Sequence, residues 1–271
     1  MVVNLLRLIA GLIFLSVFCW IYRGSILPVD ASGRTWFILV ISGLIGFTFG
    51  DLCLFQAFVV IGARISMLLM ALAPPITAVI GWLFLGETMT LRSIAGMALT
   101  LTGIAIVVLK RPPASEEDEP SRKRVRFSYP LWGILLGLGG AFGQAIGLVL
   151  SKYGMHGYDP FASAQIRVIA GIGGFVIIYS FWNIWKTARR ALSNTTAMVQ
   201  LSVGAFFGPF LGVSFSLLAV QLTSTGIAST IMAMVPVLII PPSFLLFKDK
   251  VTSKEILGAV LAVSGVALFF L

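Results

Sequence analysis

The sequence predicts an all-α polytopic membrane protein, and three observations carry that prediction. The composition is too apolar for water, the apolar residues come in runs of bilayer length, and the second half of the chain repeats the first at a nearly constant spacing. Hydrophobic residues make up 58% of the 271 and charged residues 11%, against roughly a quarter charged in a soluble domain. Nine runs, near 3–22, 36–60, 64–85, 91–109, 131–152, 161–182, 197–221, 226–247 and 254–271, reach or approach the ~20 residues that a helix needs to cross the hydrocarbon layer. The first, MVVNLLRLIAGLIFLSVFCW, has no basic leader and no small-residue cleavage site behind it, and reads as a retained span.

Charge places the loops. The net charge of +9 does not point to nucleic acid, because the basic residues sit between apolar runs and not along one amphipathic face. Six of them, Lys110, Arg111, Arg122, Lys123, Arg124 and Arg126, fall in the polar, Pro-containing linker 110–130. Loop Lys and Arg number thirteen on the linker's side and four on the other, which by the positive-inside rule puts the linker in the cytoplasm of a multi-pass cell (inner) membrane protein. Cys19 and Cys53 lie inside runs without a partner at redox or metal-ligand spacing; they read as packing residues, and no metal or cofactor is expected.

The repeat organises the rest. Pro74 and Pro236 stand 162 positions apart, and the same offset carries Gly46 to Gly208, Gly50 to Gly212, Ala57 to Ala219, Met70 to Met232, Gly96 to Gly258 and Gly103 to Gly265. Near the start the offset is 160, where LLRLIAG (5–11) matches QIRVIAG (165–171) and lays Arg7 over Arg167. One offset joining so many positions marks a duplicated unit, 1–109 and then 131–271 on either side of the linker. The run 131–152 has no counterpart after Met1, so the layout is four spans and then five. A full unit of five crosses the membrane an odd number of times, so its copy enters from the opposite side and the repeats are expected to be inverted.

Few residues in these runs carry chemistry. Asp51 is the only acid deep inside one, and an intramembrane carboxyl group points to ion, proton or substrate handling, or else to a protonated acid bonding a neighbouring helix. Pro74 and Pro75, and in the repeat Pro236 with Pro241 and Pro242, interrupt their runs. Each removes a backbone donor, and the freed carbonyl must be satisfied by protein or water; internally repeated carriers place substrate sites at such midplane breaks, whereas a simple kink is the plainer reading. Gly46 with Gly50, Gly204 with Gly208 and Gly212, and Gly139 with Gly143 and Gly147 form helix stripes suited to close packing. Gln144 is mid-run and suits either a substrate or another helix, while Gln56 and Gln221 read as helix-to-helix bonds. Arg7 and Arg167 lie about a turn inside their runs and either extend to the interface or recognise an anion. His156 reads as a loop residue. No zinc-protease, phosphate-loop or triad pattern occurs, so no enzyme is expected.

The run ARISMLLMALAPPITAVIGWLFLGETMTLRSIAGMALTLTGIAIVVL (63–109), with its Gly62-Ala63 turn, Pro74, the Leu85-Gly86-Glu87 end, Gly96 and Gly103, resembles the EamA family of the drug/metabolite transporter superfamily. The resemblance implies a ten-helix carrier of two inverted five-helix repeats with one central cavity, from which this chain lacks the first helix. It also implies a cytoplasmic C-terminus, opposite to the loop charges, which put the linker inside and, five spans later, the C-terminus outside. An acidic residue of the first helix carries proton coupling in small multidrug relatives; Gln144 stands in the corresponding span of the second unit, leaving Asp51 as the replacement. The expectation is a transporter of a small polar metabolite, amino acid-like or related, with possible proton or ion coupling. Its cavity would be lined by Asp51, Gln144, Gly50, Gly212, Pro74 and Pro236, with Arg7 and Arg167 at an anion or interface position. The alternative is a non-transporting membrane scaffold or assembly subunit.

Overall fold

The computed structural model describes residues 2–108, 130–182, 195–238 and 253–269. All but Pro130 of the linker 110–130, together with Pro241, Pro242 and the end of the 226–247 run, lie outside the described residues. Among those described there are helices and no strands: α1 (Val2–Arg23), α2 (Gly33–Gly43), α3 (Asp51–Met70), α4 (Ala73–Leu85), α5 (Leu91–Val108), α6 (Leu131–Met155), α7 (Pro160–Trp182), α8 (Thr195–Ala205), α9 (Val213–Leu222), α10 (Thr225–Met232), α11 (Val235–Leu238) and α12 (Ser253–Ala267). Six of the resulting rods are long and apolar enough to cross a membrane, and Leu91–Val107 and Ile256–Ala267 are shorter apolar helices. Large apolar side chains such as Ile21, Phe84, Leu91 and Phe181 are exposed on the outside, the face a lipid solvent requires.

Two kinds of irregularity punctuate the rods, and both recur at the spacing read in the sequence. Between α2 and α3, and again between α8 and α9, the helix widens to a π turn, at Leu44–Gly50 and Phe206–Gly212. In the first, the Asp51 N–H reaches Gly46 O, five residues back; in the second, Val213 N–H reaches Gly208 O. Pro209 inside the second turn has no N–H to keep the ordinary ladder. π turns of this kind often mark functional positions.

The second irregularity is the mid-span break. α3 ends at Met70, Ala71 and Leu72 form a turn, and α4 restarts at Ala73 with Pro74 in its first turn, where a missing N–H costs nothing. The prolines thus begin a new helix instead of bending an old one. Met232, the turn Ala233–Met234 and the restart at Val235 repeat the pattern. Earlier in α3, Gly62 adopts φ 80°, ψ 157° and turns one rod into the next, a conformation that glycine alone takes without strain.

Glycine and small polar residues set how closely the rods approach. α6 lies along α2, the first π turn and α3: a Cβ on Gly147 would stand 3.1 Å from Gly46 Cα, and one on Gly143 would stand 2.8 Å from Gly50 Cα. Ser42 and Ser151 bridge this contact, both directing hydroxyls at Gly147 O, at 2.7 and 2.6 Å. α5 and α12 cross antiparallel, with Gly96 against Gly265 and Gly103 against Gly258, and Thr100 Oγ1 reaches Ala262 O at 3.4 Å. α7 is enclosed by α1, α2 and α9 and carries the buried Ile166, Val168, Phe175 and Tyr179. Gly171 packs on Phe47 of the first π turn, and Gly11 of α1 packs on Pro209 of the second. The C-terminal stripe is different: among the described residues, no atom outside the backbone of their own helix lies within 4 Å of a Cβ built on Gly204, Gly208 or Gly212.

Candidate functional site

A cavity of about 200 Å³ lies where the two broken spans meet, smaller than the ~300–1,000 Å³ of drug-sized sites. α3 contributes Leu54, Met67 and Met70, α4 Ala73, Pro74 and Thr77, α5 Ile104, α6 Gln144 and Leu148, and the second break Ser229, Met232, Ala233 and Val235. Pro74 and Pro75 offer no N–H to the carbonyls of Met70 and Ala71, and Met70 and Ala71 both line the cavity. Thr77 and Ser229 spend their hydroxyls on their own helices, at Ala73 O and Gly226 O. Gln144 is exposed into the cavity and has no hydrogen-bond partner among the described residues. Its amide offers two donors and an acceptor to a polar solute.

Toward Glu87 the cavity ends in two packed layers. A Cβ on Gly226 of α10 would stand 2.8 Å from Ala78 Cβ of α4. Beyond this contact, Gly86 takes the left-handed conformation that ends α4 and swings Glu87 back over the start of α10. Glu87 Oε2 accepts hydrogen bonds from Thr225 N (2.8 Å) and Thr225 Oγ1 (2.7 Å), where a helix N-terminus favours negative charge. Lys152, near the end of α6, stands 2.7 Å from Glu87 Oε1 as an ion pair without hydrogen-bond alignment, and donates to Thr223 O at 2.5 Å. One carboxylate thus ties α4, α6 and α10 together.

A second group of charges sits between α1, α3 and α7. Asp51 caps the first π turn and accepts from Arg7 Nη2 at 2.9 Å, with side-chain exposures of 16% and 30%. The Arg7 guanidinium lies 5.8 Å from the Phe55 ring centroid. Arg167 lies in the electrostatic reach of Asp51 and is 5% exposed, buried in place of extending to a surface. Its guanidinium lies 4.9 Å from the Phe47 ring centroid, beside Gly46, whose absent side chain leaves the room.

The cavity therefore collects Gln144 and Pro74 from the sequence candidates. Asp51 and Arg7 lie elsewhere, paired to each other. Gly50 is a packing position under Gly143 and Gln144, and Gly212 lies against the Phe207 carbonyl of its own π turn, with no other helix beside it among the described residues. Pro236 stands within α11 beside the cavity-lining Val235. Sequence reasoning counted Lys152 only as a loop charge, passed over Thr225, and noted Glu87 only as part of a motif; the signal available was an acid and a base each placed at the end of an apolar run. Gln221 donates to the loop carbonyl Tyr158 O at 3.2 Å and so ties a helix to a loop.

That loop forms a third polar cluster. Arg23 pairs with Asp30 at 2.5 Å, and Tyr158 donates to Asp30 Oδ1 at 2.9 Å. Burial pushes the Asp30 carboxyl up, but the hydrogen bonds from Tyr158 and Arg23 and the Arg23 charge outweigh it and hold it below its ordinary 3.8. Burial and the bond to Asp30 push the Tyr158 hydroxyl up to about 12. The cluster staples α1 to the α6–α7 turn, where His156 ends α6 in the left-handed conformation.

Comparison with known proteins accords with this architecture. A family model described as the EamA-like transporter family matches residues 1–109 and 131–271. A curated relative, the "Uncharacterized transporter YvbV" of Bacillus subtilis (strain 168), is 24% identical over 243 residues, 87% of this chain and 72% of the relative. A solved structure described as "Crystal structure of protein" superposes with a TM-score of 0.71 at 15% identity, covering 98% of this chain and 86% of the other, and so shares the fold.

Proposed function

Because the chain belongs to the EamA-like transporter family, we propose that it is a secondary carrier moving a small polar metabolite across the cell membrane by alternating access between two inverted units, 1–109 and 131–271. The observation that carries this reading is the cavity itself. It lies at two helix breaks of the same design, draws its walls from both units, and holds one unspent amide, that of Gln144. Carriers with internal repeats place their substrates at such a junction.

Contacts between the units support the inversion. Gly96 meets Gly265 while Gly103 meets Gly258, so each residue touches the counterpart of the other's position, as a two-fold axis demands. The two helices run antiparallel there, which directs the axis across them and not along them. Gly171 on Phe47 and Gly11 on Pro209 are exchanged in the same way. An axis lying in the membrane plane makes the two access routes equivalent, so that opening one and closing the other needs only a rocking of the units.

In this reading the Glu87–Lys152–Thr225 clasp is the closed gate on its side of the cavity, and the linker side is cytoplasmic. Asp51, the one intramembrane acid with a basic partner on another helix, is the group through which a proton or ion couples. The test is flux into proteoliposomes across a panel of amino acids, amines, sugars and nucleotides. Saturable uptake of one class, reduced by Gln144→Leu, is the expected result. Absence of flux for every class, with the protein folded, would make it a scaffold.

A further inference from the structure

The Asp51–Arg7 pair leaves one cation over. Arg167 is buried at 5% exposure, and among the described residues its guanidinium makes no hydrogen bond and no ion pair. Among the described residues it lies over the face of the Phe47 ring, and Asp51 reaches it only as a more distant charge. A buried guanidinium has five donors to satisfy, and a charge inside a span is costly unless it is paired. The Phe47 ring supplies attraction but no acceptor for any of the five. Asp51 is committed to Arg7 at 2.9 Å, so this cluster of two guanidiniums and one carboxylate keeps a single net positive charge.

We propose that Arg167 is the recognition residue for a carboxylate carried by the transported solute. This rests on the carrier reading above and names its substrate class. Two features favour a small monoanion. One net positive charge is neutralised by one negative charge, which suits a carboxylate better than a phosphate dianion. The planar fork of guanidinium also fits a carboxylate through two parallel bonds. The guanidinium lies against Gly46, whose other neighbour is Gly147 of α6, with no side chain at either glycine. Gly147 adjoins the cavity-lining Leu148 and stands one turn from Gln144. A solute spanning these groups would give its carboxylate to Arg167 and a neutral polar group to Gln144, with its apolar part against Leu54, Met67 and Met70.

The experiment is counterflow in proteoliposomes of the full chain with solute pairs matched in size and differing in charge: leucine against leucinamide, glucuronate against glucose, and benzoate against benzylamine, with inorganic phosphate alongside. The expected result is a preference of at least about tenfold for the acid of whichever pair is carried, abolished in Arg167→Gln. Arg167→Lys, which keeps the charge and loses the fork, raises KM for the acid and spares kcat. Preference for the amine, the neutral member or phosphate overturns the carboxylate assignment while leaving the carrier standing. So does an acid preference unchanged in folded Arg167→Gln. Should that variant fail to fold, an unchanged KM in Arg167→Lys overturns the assignment. If no pair is carried at all, the carrier reading falls and the assignment with it.

Discussion

Breaking the clasp at Glu87 tests whether it is a gate or only a strut. Glu87→Gln keeps the size and the acceptor oxygen for Thr225 but removes the charge opposite Lys152. At 2.7 Å and an effective dielectric of about 20 the gross attraction is roughly 6 kcal/mol. Most of that is offset by desolvation, and the 13% and 25% side-chain exposures allow further solvent screening. A net coupling of about 1–2 kcal/mol remains, to be isolated by the cycle Glu87→Gln, Lys152→Met and the double variant. If the clasp forms only in the closed state, that coupling shifts the open–closed balance, and about 1.4 kcal/mol is a tenfold shift. The assay uses Ser229→Cys, one turn inside the clasp, in a background with Cys19 and Cys53 replaced, and measures its labelling by an impermeant maleimide from the Glu87 side. Glu87→Gln should raise the labelling rate about tenfold while Lys152→Met in addition adds little. Labelling unchanged by any of the three variants, in protein with an unchanged melting transition, would refute the gate.

Other outcomes follow from the same geometry. Gly143→Val places new atoms against the backbone of Gly50, where a Cβ already stands at 2.8 Å, and should cost about 1–3 kcal/mol by overpacking; Gly208→Ala, which meets nothing within 4 Å, should leave the melting temperature within about 1 °C. Asp51→Asn retains a hydrogen bond to Arg7 and removes the charge, so uptake or its pH dependence should fall about tenfold or more in folded protein; flux with an unaltered pH profile would return Asp51 to a structural role. The Asp30 carboxyl titrates below its ordinary value, so its contribution to stability is present above about pH 3.8 and is lost as the pH falls through the depressed folded pKa. Asp30→Asn should therefore flatten the acid limb of a melting-temperature profile and leave the neutral region little changed, and an identical acid limb would count against the staple. Gln144→Leu should lower uptake with little loss of stability, since no bond to the amide from the described residues is broken; a large drop in melting temperature would show that the amide serves packing.

The local features legible in the sequence were those set by covalent chemistry. The run lengths marked the rods, Pro74 marked an interruption because it has no N–H, the Gly62-Ala63 turn was marked by the family resemblance, and the 162-residue offset recurs in the breaks and the π turns. Chain order also made Asp51 and Gln144 conspicuous as polar groups in apolar surroundings. What they touch was not legible. Asp51 met Arg7 at a separation of 44 residues, and Glu87 met Thr225 at 138, pairings that depend on how the rods cross and to which side each helix turns its polar group. The two glycine stripes make the same point, for Gly46 with Gly50 is filled by α6 whereas Gly208 with Gly212 meets no second helix among the described residues, although the sequence spells them alike. A helix segment determines its own hydrogen bonds and which residues share its face; the partner across that face is chosen by long-range packing, and only the tertiary structure buried Arg167 without an ion pair among the described residues, Asp51 being paired with Arg7.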